Sequence, residues 1–115
     1  MTVKRAIVIA DEFRPNAISE DHKFAWVYQV EAEVAEMMGE EDLPVNPFPD
    51  DADLLMPEPY DNIYPLYVVA MIDFYNGETN LFSNDRAMYE EAMSAAKAWY
   101  RRNNKPEYEG NWRTM

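Results

Sequence analysis

One stretch, "YDNIYPLYVVAMIDFYNGE" from Tyr60 to Glu78, limits the possible folds more than any other part of the chain. From Ile63 to Tyr75 its single charged residue is Asp73. A helix that is apolar on nearly every side has to be buried somewhere. This one is too short to span a bilayer, which takes roughly 20 residues. Two arrangements remain: the central helix of a core, or a helix with its own core on one face and a partner on the other. A chain of 115 residues forms one domain with a single modest core. A short four-helix domain is expected to leave part of such a helix uncovered, so the pattern points to a partner.

The flanking sequence is helical in period. Thr2 is suited to cap a helix over 2–12, with Val3, Ala6, Ile7 and Ala10 at helical spacing, and Pro15 ends it. Ser19 is placed to cap a second helix over 20–38, with Glu20 and Asp21 in the first turn where the helix dipole favours them. Its apolar face reads Phe24, Val27, Tyr28, Glu31, Val34, Ala35 and Met38, interrupted by Glu31, and Gly39 closes it. The quoted stretch gives a third helix over 62–76, capped by Asp61, with Pro65 in its first turn and Gly77 after its end. A fourth helix over 84–102 starts at Ser83 or Asn84. Its apolar side carries Ala87, Met88, Ala92, Met93, Ala95, Ala96, Trp99 and Tyr100. The fold class expected is mostly α, a small four-helix domain over 1–106 followed by a flexible tail over 107–115.

Residues 40–61 differ in kind, with five prolines, eight acidic residues and no basic one. This long acidic connection leaves room for a short extended segment at "ADLLMP", which Pro57 and Pro59 stop from growing. It holds most of the net charge of -12. A balance so acidic argues against non-specific nucleic-acid wrapping and against binding to anionic lipid. Basic residues gather instead at Lys97, Arg101, Arg102 and Lys105, near the end of the fourth helix, where they match the dipole. The acidic connection and this basic end could pair within one chain, or between chains in a head-to-tail ring. Plain solvated charge on both explains the pattern equally well.

Sites for chemistry are sparse. There is no cysteine, hence no disulfide and no thiolate. His22, the lone histidine, falls in a first helical turn among acidic neighbours, where a surface or capping role is the simple reading. The three glycines stand far apart and form no phosphate loop. Asp50, Asp51 and Asp53 lack the glycine and distal glutamate of a calcium loop, so a solvated acidic loop is the simpler account. No catalytic, cofactor-binding or metal-binding residues are expected, and no enzyme. The N-terminal "MTVKRAIVIADEF" is interrupted by charge too early for a signal peptide, so a soluble, unprocessed chain is expected. Aromatic residues Tyr60, Tyr64, Tyr67, Phe74 and Tyr75, together with Trp99, are candidates for a self-association surface, because Tyr and Trp favour packed interfaces that meet water. Ordinary core packing competes for each of them.

Three segments together resemble a known family. They are "AIVIADEFRPNAISEDHKFAWVYQVEAEV", "LLMPEPYDNIYPLYVVAMIDFYNGETNLFSND" and "MYEEAMSAAKAWYRRNNKP". The combination is similar to small head–tail connector or adaptor proteins of tailed bacteriophages and of prophages of Gram-positive bacteria. It covers about Ala6 to Pro106; the middle segment is the most specific, and Pro65 departs from the pattern. The resemblance implies a non-enzymatic helical subunit made in the bacterial cytoplasm. It would assemble as a ring at the head–tail junction of the virion, against the portal protein and tail-proximal neck proteins. Asp50, Asp51 and Asp53 would then face a lumen that repels DNA, or face a partner. The alternative is a small acidic regulator, such as a DNA mimic that occupies a basic groove of a host protein. Its carboxylates should spread over one surface, whereas here they concentrate in one loop.

Overall fold

The computed structural model describes residues 1–40 and 49–104. Among the described residues four helices follow one another: α1 (Val3–Phe13), α2 (Glu20–Met37), α3 (Ile63–Tyr75) and α4 (Thr79–Asn103), with a 3-10 turn at Tyr60–Asn62 leading into α3. The chain is mostly helical, a small four-helix domain, with no strand among the described residues. The expected tail over 107–115 lies outside them.

Helix α1 begins where Thr2 predicts. The Thr2 Oγ1 accepts from the Arg5 N–H at 3.1 Å. The two donors before Arg5 are satisfied by the acidic connection as it returns: Val3 N–H to Ala52 O at 3.0 Å and Lys4 N–H to Asp50 O at 2.9 Å. All three free donors of this first turn therefore have partners. Leu54 N–H adds a bond to Met1 O at 2.9 Å, and a single antiparallel bridge joins Thr2 to Asp53. The extended segment anticipated at "ADLLMP" is this one bridge. Val3, Ala6, Ile7 and Ala10 are buried, as their spacing requires.

Gly39 and Gly77 close α2 and α3 in the same way. Both adopt left-handed backbone, φ 75° and 74°, which a side chain would oppose. After α2, Gly39 N–H bonds Glu36 O and Glu40 N–H bonds Ala35 O; after α3, Gly77 N–H bonds Phe74 O and Glu78 N–H bonds Asp73 O. Each is a Schellman closure that satisfies two terminal carbonyls. Pro65 is the third residue of α3, where a missing N–H costs no helical bond.

Four sequence expectations need correction. The α2 face turned inward is Lys23, Trp26, Val27, Val30, Glu31, Val34 and Ala35, while Phe24, Tyr28 and Met38 are only half-buried. Ser19 precedes α2 without a side-chain capping bond, and Asp61 does not cap α3: it sits in the 3-10 turn, 3.7 Å from the Met1 ammonium. Helix α4 starts at Thr79, well before Ser83 and Asn84, because the closure at Gly77 turns the chain straight into it. Of its expected apolar side only Met93 and Ala96 are buried, joined by Asp85 and Tyr89; Ala87, Met88 and Ala95 face solvent.

The fourth concerns α3. Helices α1, α2 and α4 all pack on it, and Leu54 and Met56 of the connection join the same core. Ile63, Tyr64, Pro65, Val68, Val69, Ala70, Ile72 and Asp73 are buried. Three helices and a returning loop thus cover most of α3 within the chain; only Phe74 and Tyr75 at its end are well exposed.

Candidate assembly surface

Two buried polar groups position the helices. Glu31, the polar interruption on α2, accepts a hydrogen bond from Tyr64 Oη at 2.6 Å through one oxygen and from Leu55 N–H at 2.8 Å through the other. Tyr64 Oη in turn accepts from Met56 N–H at 3.1 Å. The side chain thus ties α2, α3 and the returning connection together. Burial pushes the Glu31 carboxyl above its ordinary range, against the lowering pull of the Tyr64 and Leu55 bonds. Burial and the adjacent Glu31 carboxylate push the Tyr64 phenol up as well.

The second group closes the opposite end. Arg14, just past α1, lies 2.9 Å from Asp73 of α3 and 2.7 Å from Asp85 of α4. The Asp73 side chain is 1% exposed. Its ion-pair contact with Arg14 Nε is close but poorly aligned for a hydrogen bond, and neither Asp73 oxygen has a well-directed donor. Burial first, and then hydrogen bonding to the neighbouring Asp85 carboxyl, push Asp73 up to about 7, with Arg14 pulling the other way. Lys23 of α2 reaches Asp11 of α1 at 2.8 Å nearby.

These contacts orient the bundle. One end gathers the end of α1, the start of α2, the end of α3 and the start of α4; it is called the head. There Phe74 meets Phe82 with centroids 5.3 Å apart, and Tyr75 lies 5.3 Å from His22 and 6.4 Å from Trp26. Phe13, Phe74 and Tyr75 are 65%, 62% and 56% exposed. The other end is the tail. There Tyr60 stacks on Trp99 at 5.3 Å, and Tyr100 Oη donates to Met38 O at 3.2 Å. Tyr60 and Trp99 are half-buried.

The proposed aromatic surface is therefore not one surface. Tyr64 is fully buried and leaves it altogether. Tyr67 is half-buried in the α2–α4 seam, bonded to Gln29 at 2.7 Å and packed on Tyr89 at 4.9 Å. Phe74 and Tyr75 mark the head; Tyr60 and Trp99 mark the tail. The sequence missed Phe13, which carries no signal in period or motif but projects at the last residue of α1.

Among the charged candidates, Asp50, Asp51 and Asp53 are exposed at the start of α1, the end where a helix dipole favours anions. Lys97 is paired within the chain, to Glu33 at 3.1 Å. Arg101 and Arg102 are exposed with no ion pair among the described residues, and Lys105 lies outside them. Asp50, Asp51 and Asp53 and the exposed Arg101 and Arg102 thus lie toward the same end of the bundle, on α1's start and α4's end.

A groove of about 150 Å³ between α2 and α4 is lined by Glu33, Arg86, Tyr89, Glu90, Met93, Ser94 and Lys97. A wider depression of about 470 Å³ shares Glu33 and Lys97 and is otherwise lined by Glu36 and Met37. The first falls below the usual size of a ligand pocket and the second is an open surface hollow. Among the described residues no cluster of His, Asp or Glu has metal-binding geometry, and no helix is long and apolar enough to cross a membrane. Compared with protein-family models, curated proteins and solved structures, the chain has no match.

Proposed function

We propose that this chain is a non-enzymatic head–tail connector subunit of a tailed phage or prophage, acting through protein–protein contacts at the portal–tail junction. The family part of this reading rests on the sequence signature around 54–85. The observation that supports assembly is the head of the bundle, where Phe13, Phe74 and Tyr75 present aromatic surface to solvent on an otherwise acidic protein. Isolated exposed apolar residues are ordinary; three large ones toward the same end of a small domain are what a contact site would use. The subunit is made in the bacterial cytoplasm and works in the virion, with itself, the portal and tail-proximal neck proteins as partners.

Mixing the purified chain with the portal protein encoded in the same genome, followed by size exclusion, tests this. Co-elution of the two at a fixed ratio supports the connector role. A portal that elutes alone at micromolar concentrations of both rejects it. Neutralising Asp50, Asp51 and Asp53 together and finding DNA packaging and ejection unchanged would remove the lumen role from these residues.

A further inference from the structure

The buried cluster at the head end carries charges that do not balance. Asp73 of α3, Asp85 of α4 and Arg14 after α1 meet there, two carboxyl groups around one guanidinium. With both carboxyls ionised, a surplus negative charge is held away from water, which is costly. Asp73 is the worse placed of the two. Its side chain is 1% exposed, neither oxygen has a well-directed donor, and it lies in the last turn of α3, where the helix dipole opposes a negative charge. The Asp85 carboxyl stands within hydrogen-bonding reach of it. A proton on Asp73 cancels the surplus charge, and its O–H can then donate to Asp85.

The same cluster fastens the start of α4. From Thr79 to Asn84 every residue is exposed except the half-buried Phe82, and Glu78 gives no side-chain cap. Phe82 rests only on Phe74, itself 62% exposed. Asp85 is the first buried residue of α4, and it is held by Arg14.

We propose that one proton shared by Asp73 and Asp85 is a pH-sensitive latch: while it is present the start of α4 is held against α1 and α3, and when it leaves that start opens. The latch is independent of the connector reading. Burial, and then the Asp85 carboxyl, push Asp73 up to about 7, so the proton leaves in the neutral range. Two carboxylates then compete for Arg14 and repel each other. Asp73 is enclosed, whereas Asp85 is 11% exposed and precedes no buried residue before Tyr89, so α4 is the element that moves. Beyond that point Tyr89, Met93 and Ala96 keep α4 in the core. Among the described residues Arg14 and Asp85 are the charged groups that act on Asp73. The other titratable groups at this end are Asp11 and Lys23, paired across α1 and α2, the exposed His22 of α2, and the exposed Glu78 of the turn.

Native-state hydrogen exchange of the full chain, read by mass spectrometry at pH 5 and pH 8 with and without low urea, tests the latch. After correction for the intrinsic rate, exchange over 79–85 should quicken about tenfold or more from pH 5 to pH 8. It should also be insensitive to low urea, the mark of a local opening, while exchange over 27–34 rises with urea as global unfolding does. Asp73→Asn should keep the slow exchange at pH 8. Asp85→Asn, which leaves Arg14 a single carboxylate, should flatten the response too, and circular dichroism melting checks that both variants fold. His22→Gln is the control, since histidine is the usual side chain to change charge in this range, and it should leave the response intact. The latch is overturned if exchange over 79–85 does not respond to pH, or if it responds with the same urea dependence as the core. A response that survives Asp73→Asn, or that disappears in His22→Gln, overturns it equally.

Discussion

Glu31 and Tyr64, 33 residues apart in sequence, meet at 2.6 Å in the core, and the phenol passes its own acceptor site on to Met56 N–H. A carboxylate that breaks the apolar face of α2 is thereby the fastening point of the connection after α2. Tyr64→Phe should cost about 2 kcal/mol, since it leaves a buried carboxylate short of a donor and a buried N–H short of an acceptor. Glu31→Gln keeps the shape and should cost less. Denaturant unfolding of both and of the double variant checks this. Strictly additive losses would mean that the two side chains do not act as a unit.

Asp73 makes stability depend on pH in an unusual direction. Its folded value, about 7, lies above the ordinary 3.8. The folded state therefore holds a proton that the unfolded chain releases. The stabilisation is complete below about pH 4 and is lost as pH rises through 7. Glu31, shifted in the same direction, adds to the trend. Asp73→Asn fixes the neutral form, so it should flatten the pH dependence of the melting temperature between pH 4 and 7. At pH 8 it should raise stability by about 2 kcal/mol. A wild type that grows steadily more stable from pH 4 to 8 contradicts this.

Among the described residues Arg14 is the only cation that contacts Asp73, and it also serves Asp85. Arg14→Met should destabilise by about 3–5 kcal/mol at pH 8, where the carboxylates are left buried without it. At pH 5 the loss should shrink, because Asp73 then carries its proton. Urea melts at the two pH values make the comparison. Equal losses at both would show that Asp73 is ionised throughout.

Gly77 is held at φ 74° with nothing within 4 Å of the position a Cβ would take. Gly77→Ala therefore meets no clash and should cost only the left-handed backbone penalty, about 1–2 kcal/mol. Gly77→Asn should cost less, as asparagine tolerates that region better. A loss above 3 kcal/mol in either would mean that the α3–α4 turn had rearranged.

The sequence alone determined what depends on neighbours a few residues apart. It placed four helices, the Thr2 cap, the Pro15 stop and the two glycine closures, because capping and left-handed turns are local chemistry. It also singled out Ile63–Tyr75 as a segment that must be buried. What it could not supply was the cover. The burial of Glu31, Lys23 and Asp73 makes sense only when Tyr64, Asp11 and Arg14 are brought to them from elsewhere in the chain. The start of α4 was hidden because Ser83 and Asn84 have cap chemistry, whereas the Gly77 closure had already committed the chain to a helix at Thr79. The split of the aromatic residues into head, tail and core was likewise a tertiary decision. Side chains of one helix point around its axis, and only the packing of α1, α2, α4 and the returning loop on α3 settles which of them water can reach.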